Sequence, residues 1–217
     1  MATRGQILKL GILGGTFNPT HIGHLIAAEE VYWSHRLSMV LFIPSYLPPH
    51  KGSKNLAEAR HRYEMVRLAI KGNKHFAVSD TEITRKEKSY TIETVELLLR
   101  QYGGTCDLHL IIGADTVQEL PSWKEIGRLA SLCRIVVVNR PGAGLEGFSQ
   151  LIPVLGKEKV EEMQRMSVQI PPVGISSTEI RARLREGRQI KYLVPDAVEK
   201  YILKKGLYRD VQSNAPT

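Results

Sequence analysis

The chain has 217 residues, 42% hydrophobic and 24% charged, with a formal net charge of +8. That length can bury a core without disulfides or a structural metal. The two cysteines, Cys106 and Cys133, stand in no Cys-x-x-Cys pair and beside no metal-spaced histidine, so no zinc site and no disulfide framework is expected. The positive balance favours acidic partners, yet the lysines and arginines are scattered and no block of them reads as a nucleic-acid arm. Met1 to Leu10 lacks the apolar stretch of a signal peptide and no run approaches a membrane span, so a cytoplasmic protein with neither nucleic acid nor membrane as partner is expected.

The first predicted element is a buried strand, Ile7 to Leu13, followed by Gly14-Gly15-Thr16-Phe17-Asn18-Pro19-Thr20 and a helix from about His21 to Trp33. A second continuous apolar run, Met39 to Ile43, is closed by Pro44. Ser45 to Asn55, which contains Pro48-Pro49-His50-Lys51-Gly52, carries every breaker signal of a loop. Ala57 to Lys71 is helical, with Met65, Val66, Leu68 and Ala69 on its apolar side, and Gly72-Asn73 stops it. A short strand at Phe76 to Val78 leads into a polar connection from Asp80 to Ser89, then a helix from Tyr90 to Gln101. Leu108 to Ile112 is a strand that runs into Gly113-Ala114-Asp115, and a helical segment containing Trp123 follows. Ile135 to Val138 is another buried strand, ending at Asn139-Arg140-Pro141, and Gly142 to Gly147 reads as a flexible loop. Lys157 to Met166 is a charged helix and Val168 to Ile170 the last strand, separated by Pro171-Pro172 from Ile175-Ser176-Ser177-Thr178-Glu179-Ile180-Arg181. Two further helical stretches end near Tyr208. One domain, residues 1–208 with a C-terminal helical part over about 175–208, is expected, with 209–217 a disordered tail.

Strands apolar on both faces, alternating with helices, predict an α/β fold: a doubly wound parallel sheet with helices on both sides. In such folds the ligand lies beyond the carboxyl ends of the strands. Gly14, Pro44, Gly113, Arg140 and Ser176 all follow strands closely. Gly14 to His24 combines a strand exit, a glycine turn and a helix N-terminus, which together present main-chain N–H groups to an anion. His21 and His24 add donors there, and Gly23 between them is expected to let a phosphate approach between the rings. The third glycine of a dinucleotide fingerprint is absent, which removes a nicotinamide-cofactor dehydrogenase. Ser176 with Glu179 fits a capping box, and Ser177, Thr178 and Arg181 add hydroxyls and a guanidinium, forming a second anion mouth.

With these residues in view, the chain resembles bacterial nicotinate-nucleotide adenylyltransferases, of the Rossmann-like nucleotidyltransferases. Gly14 to His24 is similar to the family's phosphate-binding segment and Ile175 to Arg181 to its Ile-Ser-Ser-Thr-x-Ile-Arg signature. Pro48-Pro49-His50-Lys51, Ser89-Tyr90-Thr91, Gly113-Ala114-Asp115, Trp123, Arg140-Pro141 and Tyr192-Leu193-Val194-Pro195 follow in the family's order, over about Leu10 to Tyr208. Asn18 stands where many members have Asp, and Glu87 where glycine is frequent.

The resemblance implies that ATP and nicotinate mononucleotide are joined, releasing pyrophosphate, with Mg2+ carried by ATP, no dedicated metal site, and room for a homo-oligomer. It implies catalytic roles for His21, His24 and Arg181. Gly14, Gly15, Thr16, Phe17, Gly113, Asp115, Arg140, Ile175, Ser176 and Ser177 would join them around ATP. Asn18, His50, Lys51, Tyr90, Thr91 and Trp123 would serve the mononucleotide. Asp115 is open to two readings, a ribose contact or a helix cap, and Trp123 to ring stacking or core packing. Rival readings are a pantetheine-phosphate adenylyltransferase and a nucleotide-binding regulator without catalysis. A class I aminoacyl-tRNA synthetase would need a lysine-rich second loop, which is missing.

Overall fold

The computed structural model describes residues 7–48, 56–103, 106–139 and 147–209. Its strands are β1 (Leu8–Gly15), β2 (Met39–Pro44), β3 (Phe76–Val78), β4 (Cys106–Gly113), β5 (Arg134–Asn139) and β6 (Val168–Gln169). They form a six-stranded sheet in the order β3-β2-β1-β4-β5-β6, every pairing parallel. The helices are α1 (Ile22–Ser34), α2 (Ala59–Ala69), α3 (Thr81–Arg85), α4 (Thr91–Tyr102), α5 (Ile126–Leu132), α6 (Ile152–Leu155), α7 (Lys157–Arg165), α8 (Ser177–Arg185) and α9 (Asp196–Lys205).

Alternation along each strand explains the layers. Leu10, Ile12, Leu41, Ile43, Leu110, Ile112, Ile135 and Val137 face one side, where Val95 and Leu98 of α4, Leu129 of α5 and Met163 of α7 cover them. Val40, Phe42, Ile111, Val136 and Val138 face the other, under Ala28 and Val31 of α1 and Val66 of α2. A third cluster joins Met65 of α2 to Ile180 and Leu184 of α8 and Val198 and Ile202 of α9, so the C-terminal helices lean on α2. The strand order reverses between β1 and β4, and the crevice of a doubly wound sheet lies at that point.

The structure departs from the sequence reading in four places. Gly14 and Gly15 are the last residues of β1, paired with Ile43 and Pro44, and are not a turn beyond it; Gly113 likewise ends β4, paired with Val138. The connection from Asp80 to Ser89 contains α3, whose Glu82 is buried and accepts from Thr94 Oγ1 at 2.7 Å. The helical segment before Trp123 is a 3-10 helix, Ala114–Ser122, with Pro121 inside it. Trp123 is outside it in an extended conformation, and α5 starts only at Ile126. Pro121 has no N–H with which to continue the helical ladder.

Candidate active site

β1 delivers the chain to the crevice and α1 takes it away, so residues 16–21 form the mouth between them. Gly14 is exposed, and a Cβ built on it would meet nothing within 4 Å, so the strand end is open above it. Gly15 O accepts from Ser45 N at 2.9 Å. Phe17, at φ 49, turns into the core. Its ring meets His24 edge-on at 5.0 Å and Phe42 at 5.9 Å.

His21 is the N-cap of α1 and is buried. Its N–H donates to His24 Nδ1 at 3.2 Å, and the two rings lie 3.7 Å apart at 32°. Accepting this bond requires a lone pair on Nδ1, so the neutral ring carries its proton on Nε2 and can donate from that atom. Rings this close leave no space for a phosphate between them, so the reading of Gly23 is corrected. A Cβ on Gly23 would lie 3.1 Å from His21 Nδ1, so the glycine makes room for the His21 ring.

The segment from Ser176 to Arg181 meets the turn after β1 directly. Ser177 Oγ donates to Pro19 O at 2.8 Å and Arg181 Nη1 to Asn18 O at 2.7 Å. Arg181 Nη2 donates to Thr178 Oγ1 at 3.2 Å, and its buried Nε has no partner among the described residues. Burial lowers the Arg181 pKa; the Tyr208 hydroxyl opposes that and Arg185 adds to it. Ser176 caps α8, accepting from Glu179 N at 3.1 Å. The capping box is half formed, because the Glu179 carboxylate binds Arg183 at 3.0 Å instead of turning back. Ile175 packs beneath, against the third cluster.

Asn18 is a junction. Its Oδ1 accepts from Ala57 N at 3.1 Å and from the Tyr208 hydroxyl at 2.7 Å. Burial pushes the Tyr208 pKa up, so the hydroxyl stays a donor. Neither Tyr208 nor Ala57 carried a signal in the sequence, because a hydroxyl and a main-chain N–H from far along the chain meet only in the fold. Arg62 did carry one: it precedes Met65 and Val66 by three and four residues, which places it on the buried stripe of α2.

Across the crevice Asp115 is exposed, in the first turn of the 3-10 helix, whose N-cap is Gly113. The cap reading of Asp115 is thereby set aside. A Cβ on Gly113 would collide with Asp115 Oδ1, so the carboxylate folds back over the end of β4. Tyr90 is the N-cap of α4 and Thr91 its first residue. Lys124 sits 4.7 Å above the Tyr90 ring and bonds Glu93 at 2.7 Å, which brings the residue next to Trp123 against the start of α4. Trp123 and Tyr90 are both partly buried against the first core cluster. His50, Lys51 and Arg140 lie outside the described residues.

Residues 12–183 match the family model described as cytidylyltransferase-like. A protein of Moorella thermoacetica named "Probable nicotinate-nucleotide adenylyltransferase" is 41% identical over 204 residues, covering 93% of this chain and 92% of the relative. One of the same name from Roseiflexus castenholzii is 45% identical over 203 residues, covering 93% and 98%. Among solved structures, Plasmodium falciparum nicotinic acid mononucleotide adenylyltransferase complexed with NaAD superposes with a TM-score of 0.72 over 92% of this chain and 97% of that one. At 18% identity that likeness shows the shared fold.

Proposed function

This chain belongs to the nicotinate-nucleotide adenylyltransferase family, within the cytidylyltransferase-like proteins, and from that premise we propose how its residues carry the reaction. The enzyme joins ATP and nicotinate mononucleotide to give nicotinate adenine dinucleotide and pyrophosphate, a step of NAD biosynthesis. One observation supports the site most: Ser177 and Arg181 donate into the carbonyls of Asn18 and Pro19. The two phosphate-type motifs thus form one clamp at the switch in strand order.

The mononucleotide phosphate is largely a dianion at neutral pH, its second pKa being about 6. It needs no protein base. One of its oxygens forms the bond to the α-phosphorus as the bond to the bridging oxygen of the β-phosphate breaks, and the electron pair leaves on pyrophosphate. The protein's part is to align the two phosphates and to meet the charge that develops. His24 donates from Nε2 to the reacting phosphate, and His21 holds His24 in that tautomer while presenting its own ring edge. Ser176, Ser177, Arg181 and the free N–H groups at the start of α8 hold the β- and γ-phosphates, together with Arg140. Gly14 and Gly15, at the end of β1, and Thr16 and Phe17, in the turn beyond it, line the ATP side. Gly113 and Asp115 border the adenosine, with the Asp115 carboxylate free for a ribose hydroxyl.

On the mononucleotide side, Tyr90, Thr91 and the main-chain N–H groups opening α4 receive the pyridine carboxylate, and Trp123 stacks on the ring. His50 and Lys51 serve its phosphate, and Asn18 braces the wall between the substrates. Among the described residues no group of three or more His, Cys, Asp or Glu side chains could hold a metal. Mg2+, which binds substrate phosphates readily, would travel with ATP and neutralise phosphate charge near the clamp. We place the enzyme in the cytoplasm, as one nucleotidyltransferase domain over residues 1–208; among the described residues no helix is long and apolar enough to cross a membrane.

The test is pyrophosphate release from ATP with nicotinate mononucleotide, nicotinamide mononucleotide or phosphopantetheine as acceptor. Turnover is expected with the first and none with the last. Turnover with phosphopantetheine alone would make the chain a pantetheine-phosphate adenylyltransferase, and none with any acceptor would make it a binding protein.

A further inference from the structure

Arg62 belongs to neither phosphate motif, yet among the described residues it is the largest of the fully buried side chains, 1% exposed. Its Nε donates to Ala57 O, one terminal nitrogen to Thr16 O and the other to Tyr46 O, each at 2.9 Å. All three acceptors are main-chain carbonyls, and they come from three separate segments. Burial lowers the Arg62 pKa. A leucine or methionine on this stripe of α2 would avoid the desolvation that a buried guanidinium incurs. What the guanidinium supplies instead is direction: its donors form a rigid planar fork, so fixing one carbonyl fixes the other two.

Each of the three contacts leads toward a substrate. Thr16 belongs to the turn under the ATP phosphates. Tyr46 N donates to Ser89 Oγ at 2.9 Å and Ser89 N to Leu47 O at 3.0 Å, next to the Tyr90-Thr91 start of α4. Ala57 is gripped on both sides of its residue, its O by Arg62 and its N–H by Asn18 Oδ1 at 3.1 Å. We infer that Arg62 is a positioning residue that sets the ATP-side turn at Thr16 against the mononucleotide-side start of α4. It touches neither substrate and acts on the alignment of the attacking phosphate with the α-phosphorus. In-line transfer is sensitive to such alignment, because misplacement by about 1 Å can cost about a hundredfold in rate.

The inference rests on the two-substrate reading above, so the unmodified enzyme is assayed first. Lack of turnover there removes that reading and this inference with it. Given turnover, R62K keeps the charge and loses the fork. Thermal melts of R62K should stay within a few degrees of the unmodified enzyme. Its kcat should fall by about tenfold or more while KM for ATP changes less than about threefold. A folded R62K with unchanged kcat, or with equal rises in both KM values and unchanged kcat, overturns the inference while leaving the function standing. If R62K does not fold, S89A carries the test, since it removes the acceptor of the Tyr46 N–H outside α2, together with the Ser89 hydroxyl's bond to the buried Glu82 carboxylate, whose loss alone is read from the thermal melt. A fall of kcat by about threefold or more is expected for S89A, and unchanged kcat in that variant overturns the inference.

Discussion

In the reaction proposed above, the part given to His24 rests on one hydrogen bond. The His21 N–H donating to His24 Nδ1 selects the tautomer that places the proton on Nε2, the only ring nitrogen then able to donate to phosphate. His24→Ala removes that donor. It also removes the edge contact with Phe17, the stack on His21 and the acceptor of the His21 N–H, together a loss of about 1 kcal/mol at the start of α1. The variant is expected to keep its thermal midpoint within a few degrees while kcat falls by about a hundredfold or more, the usual worth of a single donor aimed at developing negative charge. Steady-state kinetics beside a melting curve decides it, and near-normal kcat in folded protein would remove His24 from the reaction. The closeness of the pair was legible in the three-residue spacing of His21 and His24 at the start of a helix. The stacking of the rings was not, because ring orientation depends on the N-cap conformation of His21, φ -141 and ψ 170, and on the room that Gly23, lacking a Cβ, leaves for the His21 ring.

At the level of an element, α8 has two duties that can be separated. Ser176 caps the helix through Glu179 N, and the same N-terminus is the proposed seat of the terminal phosphates. Ser176→Ala should cost about 1 kcal/mol, the usual worth of an N-cap oxygen, read as a lower urea midpoint. Ser176→Asp keeps a good cap and favours the positive end of the helix dipole, so stability should hold within a few tenths of a kcal/mol of the unmodified enzyme. The added carboxylate repels phosphate, so KM for ATP should rise by about tenfold or more, which corresponds to about 1.4 kcal/mol. A Ser176→Asp enzyme with normal KM for ATP would mean that the phosphates lie elsewhere. The capping pattern was readable four residues at a time. That Glu179 would turn to Arg183, and leave the box half formed, was decided by an i,i+4 pair on the exposed face of the helix.

For the molecule as a whole, the opposite end of the sheet sets the response to pH. His35, after α1, and His109, on β4, lie with their rings 5.6 Å apart. Burial is the first cause that lowers both pKa values. His35 bonds Met166 O at 2.9 Å and faces Lys9 and Arg134; His109 faces Asp107, Arg134 and His35. When a folded-state pKa is lowered, the unfolded chain takes up the proton first. Stability from this pair is therefore full above the ordinary histidine pKa of about 6.5 and is lost as pH falls through the lowered values. Glu82 works the other way, since burial raises its pKa and the folded form protonates first. The urea midpoint is expected to be lower at pH 5.5 than at pH 7.5, and His35→Gln should flatten that slope. A slope unchanged in His35→Gln would remove His35 as its source.

The sequence by itself determined the apolar strands on both faces, the parallel sheet, the positions of the two motifs proposed to bind phosphate, and the family. These depend on side-chain identity at short spacing, which a linear chain displays. Only the tertiary structure decided that Ser177 and Arg181 close onto Pro19 and Asn18, across separations of 158 and 163 residues. It alone placed the Tyr208 hydroxyl on Asn18 and the fork of Arg62 on the carbonyls of Thr16, Tyr46 and Ala57. The physical reason is common to all of these contacts. Except for the Asn18 amide oxygen, their acceptors are main-chain carbonyls, which every residue carries alike, so nothing in the order of the residues marks the carbonyls that fold toward a donor.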